Sequence, residues 1–201
     1  MTSSDDEDTE ECVAHLLQTR RGHFRLESGH HGDLWLDLEV LCLRPEPVDL
    51  LASQLVARLT AHDVEIVCGP LVEGAFVALM VASQMGLPFT YAERLAEGQG
   101  EGLYPVRYAL PSALRDEVRD RRVAIVTDVV NAGSAVRGTW ADLTDCGARI
   151  VAIGALATLG DSASRLAAEA SLALETLASF PNEVWTPSEC PLCARGVPLD
   201  R

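Results

Sequence analysis

Apolar and polar positions along the chain change period several times, and each change marks an element. Val48, Leu51, Leu55 and Leu59 recur at helical spacing behind Pro45 and Pro47, so a helix is expected to open there. Residues 10–20 place Val13, Leu16 and Leu17 on one helical face. Between these stretches, residues 24–43 are mixed, with Leu34-Trp35-Leu36 set against Asp33 and Asp37 as in a short strand. Residues 64–68 form an apolar run broken by Gly69-Pro70, hence a short buried strand. Residues 75–85 are almost wholly apolar, as suits a helix packed on a sheet, and a further strand starts over 88–92. Residues 93–122 lack a clear period and carry Gly98, Gly100, Gly102, Pro105 and Pro111, so a part-hairpin, part-mobile excursion is expected over about 95–120. Runs at 123–126, 149–159 and 172–177 read as buried strands, with helices over 136–146 and 162–170. Strands alternating with helices predict an α/β fold: a parallel-stranded sheet with helices on both faces.

A chain of 201 residues can bury one sizeable core, expected over 11–180. The acidic residues 1–10 read as a disordered, solvated tail, and the Pro- and Cys-rich residues 181–201 as a tail over the domain surface. A net charge of −14 argues against nucleic acid as a partner, because phosphate binding requires a basic stripe. No apolar run is long enough for a membrane span, and the first residues lack the basic-then-apolar order of a signal peptide, so a cytoplasmic location without membrane contact is expected. All sixteen basic residues are Arg, so any cationic role falls to Arg or His. Cys12, Cys42, Cys68 and Cys146 are scattered among apolar neighbours, and most are expected to be buried small hydrophobes. Cys190-Pro-Leu-Cys193 differs, being half a zinc knuckle. Four ligands there would need Cys12, Cys42, a His or a symmetry mate; a reduced structural turn is the competing reading.

Chemistry is most concentrated at residues 123–135. Asp128 follows the apolar run, at the carboxyl end of a strand, where open α/β sheets bind ligands. Asn131, Ala132, Gly133, Ser134 and Ala135 offer little bulk, so consecutive backbone N–H groups can converge on a phosphate. A helix starting near Ser134 adds its positive dipole end. Loop and carboxylate together suit a phosphorylated sugar, the carboxylate reading its diol. The competing reading is an ordinary strand–turn–helix with Asp128 at the helix entry. The design repeats where the 64–68 strand feeds Gly69, Pro70, Leu71, Val72, Glu73, Gly74 and Ala75, a second place for backbone to approach a phosphate.

The 123–135 segment resembles the phosphoribosyl diphosphate (PRPP) signature of type I phosphoribosyltransferases: an apolar strand, acidic residues, two apolar residues (Val129, Val130) and a Thr-Thr-Gly-x-Ser-like turn. It departs from that pattern with Thr127 in the first acidic place and Asn131-Ala132 for the Thr pair. Residues 24–37, Phe-Arg-Leu-Glu-Ser-Gly-His-His-Gly-Asp-Leu-Trp-Leu-Asp, are similar to the N-terminal segment of orotate phosphoribosyltransferases. Pro45-Glu46, Tyr91-Ala92-Glu93-Arg94 and the ending Cys-Pro-Leu-Cys-Ala-Arg-Gly-Val-Pro-Leu extend the resemblance from about residue 10 to the end.

That resemblance implies a type I phosphoribosyltransferase fold with an N-terminal hood over about 20–45, and transfer of the phosphoribosyl group of PRPP to orotate, with Mg2+, in a homodimer that shares loops. Thr127 and Asp128 would then hold the ribose hydroxyls and residues 131–135 the 5′-phosphate. Gly69, Pro70, Val72, Glu73, Gly74 and Arg94 would hold pyrophosphate. The catalytic residues would be Asp128, Arg94 and Arg107. The Lys and His of the family's mobile loop are absent, leaving Arg107 and Arg115 as cations. Leu159-Gly160-Asp161 lacks the family's base-pairing Arg, for which Arg25 or His30 of the hood are candidate substitutes. Transfer to another base and a non-catalytic PRPP-binding regulator are the alternatives.

Overall fold

A computed structural model describes residues 3–26, 29–95 and 107–200, with the side chains of residues 3–6 and of Glu73 set aside. The chain begins with α1 (Ser3–Leu16), β1 (Arg20–Arg25), β2 (His31–Trp35), α2 (Pro45–Leu59), β3 (Ile66–Pro70) and α3 (Glu73–Met85). It continues through β4 (Phe89–Arg94), β5 (Tyr108–Ala109), β6 (Arg122–Val130), α4 (Ser134–Asp145) and β7 (Arg149–Leu159). The last elements are α5 (Ser162–Ala170), β8 (Ala173–Phe180), β9 (Val184–Trp185) and α6 (Pro191–Ala194).

Six strands form the main sheet in the order β5-β4-β3-β6-β7-β8, parallel except for the β4–β5 pair. Helices cover both faces because the strands are apolar on both. On one side Leu55, Leu59, Val77 and Val81 of α2 and α3, with Val13 of α1, close over Val67, Ala124, Val126 and Leu156. On the other, Val136 and Leu143 of α4 and Leu166 of α5 close over Cys68, Ile125 and Ile153. Each buried aliphatic side chain contributes about 1.5–3 kcal/mol relative to exposure, so these two layers dominate stability.

A separate three-stranded antiparallel sheet, β1-β2-β9, joins the N-terminal hairpin to the chain after β8. β1 has no alternating signal, and it forms because β2 supplies the pairing. The tail after β8 is likewise ordered: it contributes β9, and Asp200 exchanges hydrogen bonds with the His23 backbone at 2.7 and 2.8 Å. Of the tail expected to be disordered over residues 1–10, residues 3–10 are helical, since α1 begins at Ser3; residues 1 and 2 lie outside the described residues. Thr9 is buried and donates to Gln54 Oε1 at 3.0 Å, which fastens α1 to α2. Of the excursion expected over 95–120, residues 96–106, with Gly98, Gly100, Gly102 and Pro105, lie outside the described residues. Leu95 N–H donates to Arg107 O at 2.9 Å, so both ends of that stretch leave from one place.

Candidate functional site

The chain runs from β3 outward to β4 and β5, then returns to β6 on the other side of β3 and continues outward to β7 and β8. The winding direction therefore reverses between β3 and β6. Helices depart to opposite faces there and leave a crevice at the strand ends, the general ligand position of open α/β sheets. Both loops singled out in the sequence open at this point.

Thr127 and Asp128 lie near the carboxyl end of β6, 3% and 7% exposed, and the Thr127 hydroxyl donates to Asp128 Oδ1 at 2.8 Å. β6 runs two residues past Asp128, to Val130. Gly133 then adopts φ +79°, a left-handed conformation that costs other residues about 1–2 kcal/mol, and starts α4 without a capping side chain. The first-turn N–H groups of α4 have no intrahelical acceptors by geometry, so Asn131 to Ala135 present donors at a positive dipole end. Asn131 and Ala132 are exposed, and Asn131 Oδ1 accepts from Asn182 Nδ2 at 3.2 Å.

The second loop leaves β3 at Gly69-Pro70 and enters α3 at Glu73. A Cβ on Gly74 would collide with the Thr127 hydroxyl, so the start of α3 packs directly on the acidic end of β6. One crevice thus holds two helix N-termini with a carboxylate between them. Such a site suits a ligand with two separated anionic groups and hydroxyls in the middle.

Arg94 ends β4, the neighbour of β3, and is exposed at the same end of the sheet; Arg107 is exposed at the neck of the 96–106 stretch. Arg115 does not serve as a free cation: its guanidinium binds both Asp142 oxygens at 3.0 Å, and that carboxylate raises its pKa. Arg25 and His30 are exposed in the β1–β2 hairpin, and Asp161 after β7 pairs with Arg165 at 2.8 Å. Cys68, directly before the second loop, is no nucleophile, because burial pushes its thiol far above the usual range. Cys190 and Cys193 meet His23 and His31 rather than Cys12 or Cys42.

No protein-family model matches the chain. Among curated proteins it is similar to the orotate phosphoribosyltransferase of Thermoanaerobacter sp., 26% identical over 194 residues that cover 96% of this chain and 94% of that one. Among solved structures, orotate phosphoribosyltransferase from Aeropyrum pernix superposes with TM-score 0.64 at 21% identity, covering 87% of this chain and 92% of that one. The chain has the type I phosphoribosyltransferase fold.

Within that fold, adenine phosphoribosyltransferase from Rhodothermus marinus superposes as well, with TM-score 0.66 at 19% identity and coverage of 87% and 99%. Backbone likeness therefore does not separate the bases that phosphoribosyltransferases accept. Two features of the crevice had little signal in the sequence. Asn182 arrives from the distant tail, and the Gly74–Thr127 contact depends on β3 and β6 being neighbours.

Proposed function

We propose that the chain is a phosphoribosyltransferase that moves the 5-phosphoribosyl group of PRPP to orotate, giving orotidine 5′-phosphate and pyrophosphate. The observation that carries this reading is the pair of helix N-termini flanking Asp128 at the switch point between β3 and β6. Their spacing into two anion-receptive loops with a carboxylate between them suits the two phosphate ends and the ribose diol of PRPP. Similarity to proteins named orotate phosphoribosyltransferase, 24–28% identical along most of the chain, supports orotate as acceptor.

In this reading Asn131 to Ala135 hold the 5′-phosphate and Asp128, with Thr127, fixes the ribose hydroxyls. The loop at Gly69, Pro70, Val72 and Gly74, with Arg94, receives pyrophosphate. A base nitrogen bonds to the anomeric carbon while the bond to the pyrophosphate oxygen breaks, and pyrophosphate leaves with the electron pair. The chain's part is to orient the sugar, offset the leaving charge and exclude water. Mg2+, when bound, would be held mainly by PRPP oxygens and water beside the Asp128 carboxylate, and would offset phosphate charge there. Arg94 and Arg107 serve as cations without giving up a proton, because guanidinium stays charged. The active form is a homodimer through the α3 face, where Val72, Phe76 and Leu79 are 56%, 44% and 48% exposed at helical spacing.

The test is pyrophosphate release from PRPP and Mg2+ with a panel of bases. Release with orotate is expected. Release with adenine alone would move the chain to a purine acceptor. PRPP binding without release for any base would point to the regulator, and absence of PRPP binding would end the proposal.

A further inference from the structure

The C-terminal knuckle lies outside the crevice and takes no part in the chemistry above, yet it gathers four metal-ligating side chains. Cys190-Pro191-Leu192-Cys193 makes a single helical turn that brings both sulfurs to one side. On β1 and β2, Arg21 pairs with Leu34 and Phe24 with Gly32, so Gly22 and His23 together oppose Asp33 in a bulge. The bulge turns the His23 ring toward His31, at a centroid separation of 5.0 Å. His23, His31 and Cys190 are 1%, 7% and 2% exposed.

Four ligand atoms converge: His23 Nε2, His31 Nδ1 and the two Sγ atoms all lie within 4.8 Å of one another. A tetrahedral zinc with ordinary bond lengths sets nitrogen–nitrogen edges of about 3.3 Å and nitrogen–sulfur edges of about 3.6 Å. The nitrogens are 3.1 Å apart, three of the four nitrogen–sulfur distances are 3.3, 3.4 and 3.7 Å, and the fourth is within 4.8 Å. Hydrogen bonding alone fits this arrangement poorly. His23 Nδ1 donates to Val197 O at 2.8 Å, which leaves Nε2 with one lone pair. Three groups, His31 Nδ1 and both sulfurs, approach that single lone pair. A cation resolves the crowding, since it draws lone pairs from all four atoms. The Val197 carbonyl is the partner that a zinc-bound imidazole requires on its other nitrogen, and it belongs to the same knuckle.

We propose that His23, His31, Cys190 and Cys193 form a structural zinc site that clamps the C-terminal tail onto the small sheet. Four protein ligands close the tetrahedron, and two thiolates neutralise the ion, so the site holds chain together rather than performing chemistry. Its nearest consequence is on the path from β8 to β9: Glu183 N–H donates to Asp33 Oδ1 at 2.9 Å, and Asn182 reaches the Asn131 loop.

Metal analysis and cobalt titration of the reduced full-length protein test the assignment without any activity readout. The expected result is about one zinc per chain, and cobalt uptake with the visible bands of a tetrahedral thiolate complex. Cys190→Ser should lose the metal, while Cys12→Ser, at an exposed position outside the cluster, should keep it. Cys193→His, which preserves four ligands, covers the case in which Cys190→Ser fails to fold. Reduced wild-type protein that takes up neither zinc nor cobalt would overturn the proposal, as would equal metal content in wild type and folded Cys190→Ser.

Discussion

Asp128 is a buried carboxyl group that accepts from the Thr127 hydroxyl, and in the proposed reading it fixes the ribose of PRPP. Hydrogen bonds to a charged group are worth about 1.5–3 kcal/mol, so Asp128→Asn is expected to weaken PRPP binding by about tenfold to a hundredfold. Isothermal titration measures this, with circular dichroism to show that the fold is kept; an unchanged Kd would remove the sugar assignment. Gly74 tests the contact between the two loops. Gly74→Ala places a methyl group against the Thr127 hydroxyl and should lower stability by about 1–3 kcal/mol, as overpacking does. Adding Thr127→Ala removes the colliding oxygen and should restore part of that loss in a double-mutant cycle. Additive losses would mean that the collision is relieved elsewhere. Of the residue-level features, Asp128 and Gly133 were legible from one short segment. Arg115 was misread because the carboxylate that occupies it, Asp142, lies 27 residues away.

At the scale of elements, α4 carries a clamp as well as a helix terminus. Asp142 accepts from Leu110 N–H at 2.7 Å and binds Arg115, tying the chain after β5 to the face of the sheet. Asp142→Ala leaves the Leu110 donor without its partner and should cost about 1–3 kcal/mol in urea unfolding. Arg115→Gln, which keeps that backbone bond, should cost less. Glu65 pins the starts of β3 and β6 together. The Arg122 N–H donates to it at 2.9 Å and, with both neighbouring Arg charges, holds its carboxyl below the ordinary value of 4.5. A lowered folded-state value means that its contribution is present above pH 4.5 and disappears as pH falls below it. Glu65→Gln should therefore melt lower than the parent near neutral pH, with the gap closing in acid; a gap constant with pH would contradict the assignment. β7 and α5 were legible to the residue, because a long buried apolar run and a short amphipathic one admit few alternatives. β1 was not, since Arg20, Arg21, Gly22, His23 and Arg25 carry no period and the strand exists through its partner β2.

For the whole molecule, the exposed apolar stripe on α3 leads to one expectation: sedimentation should find a dimer, and Phe76→Asp should shift it toward monomer by burying charge in the contact. A wild-type monomer at micromolar concentration would refute that surface. The sequence by itself determined the layered α/β class, the two strand-to-helix loops proposed to meet anions, and the position of Asp128 before one of them. These are local properties, written in runs of a dozen residues whose periodicity and turn chemistry need no distant partner. Only the tertiary structure decided that the two loops open into one crevice, because that depends on β6 returning beside β3 rather than beyond β5. It alone brought His23 within 3.4 Å of Cys190 across 167 residues. No spacing rule spans such a separation; pairing of β1 with β2 and the return of the tail over that sheet create it, so the half-knuckle meets the two histidines proposed to complete it only when the chain folds.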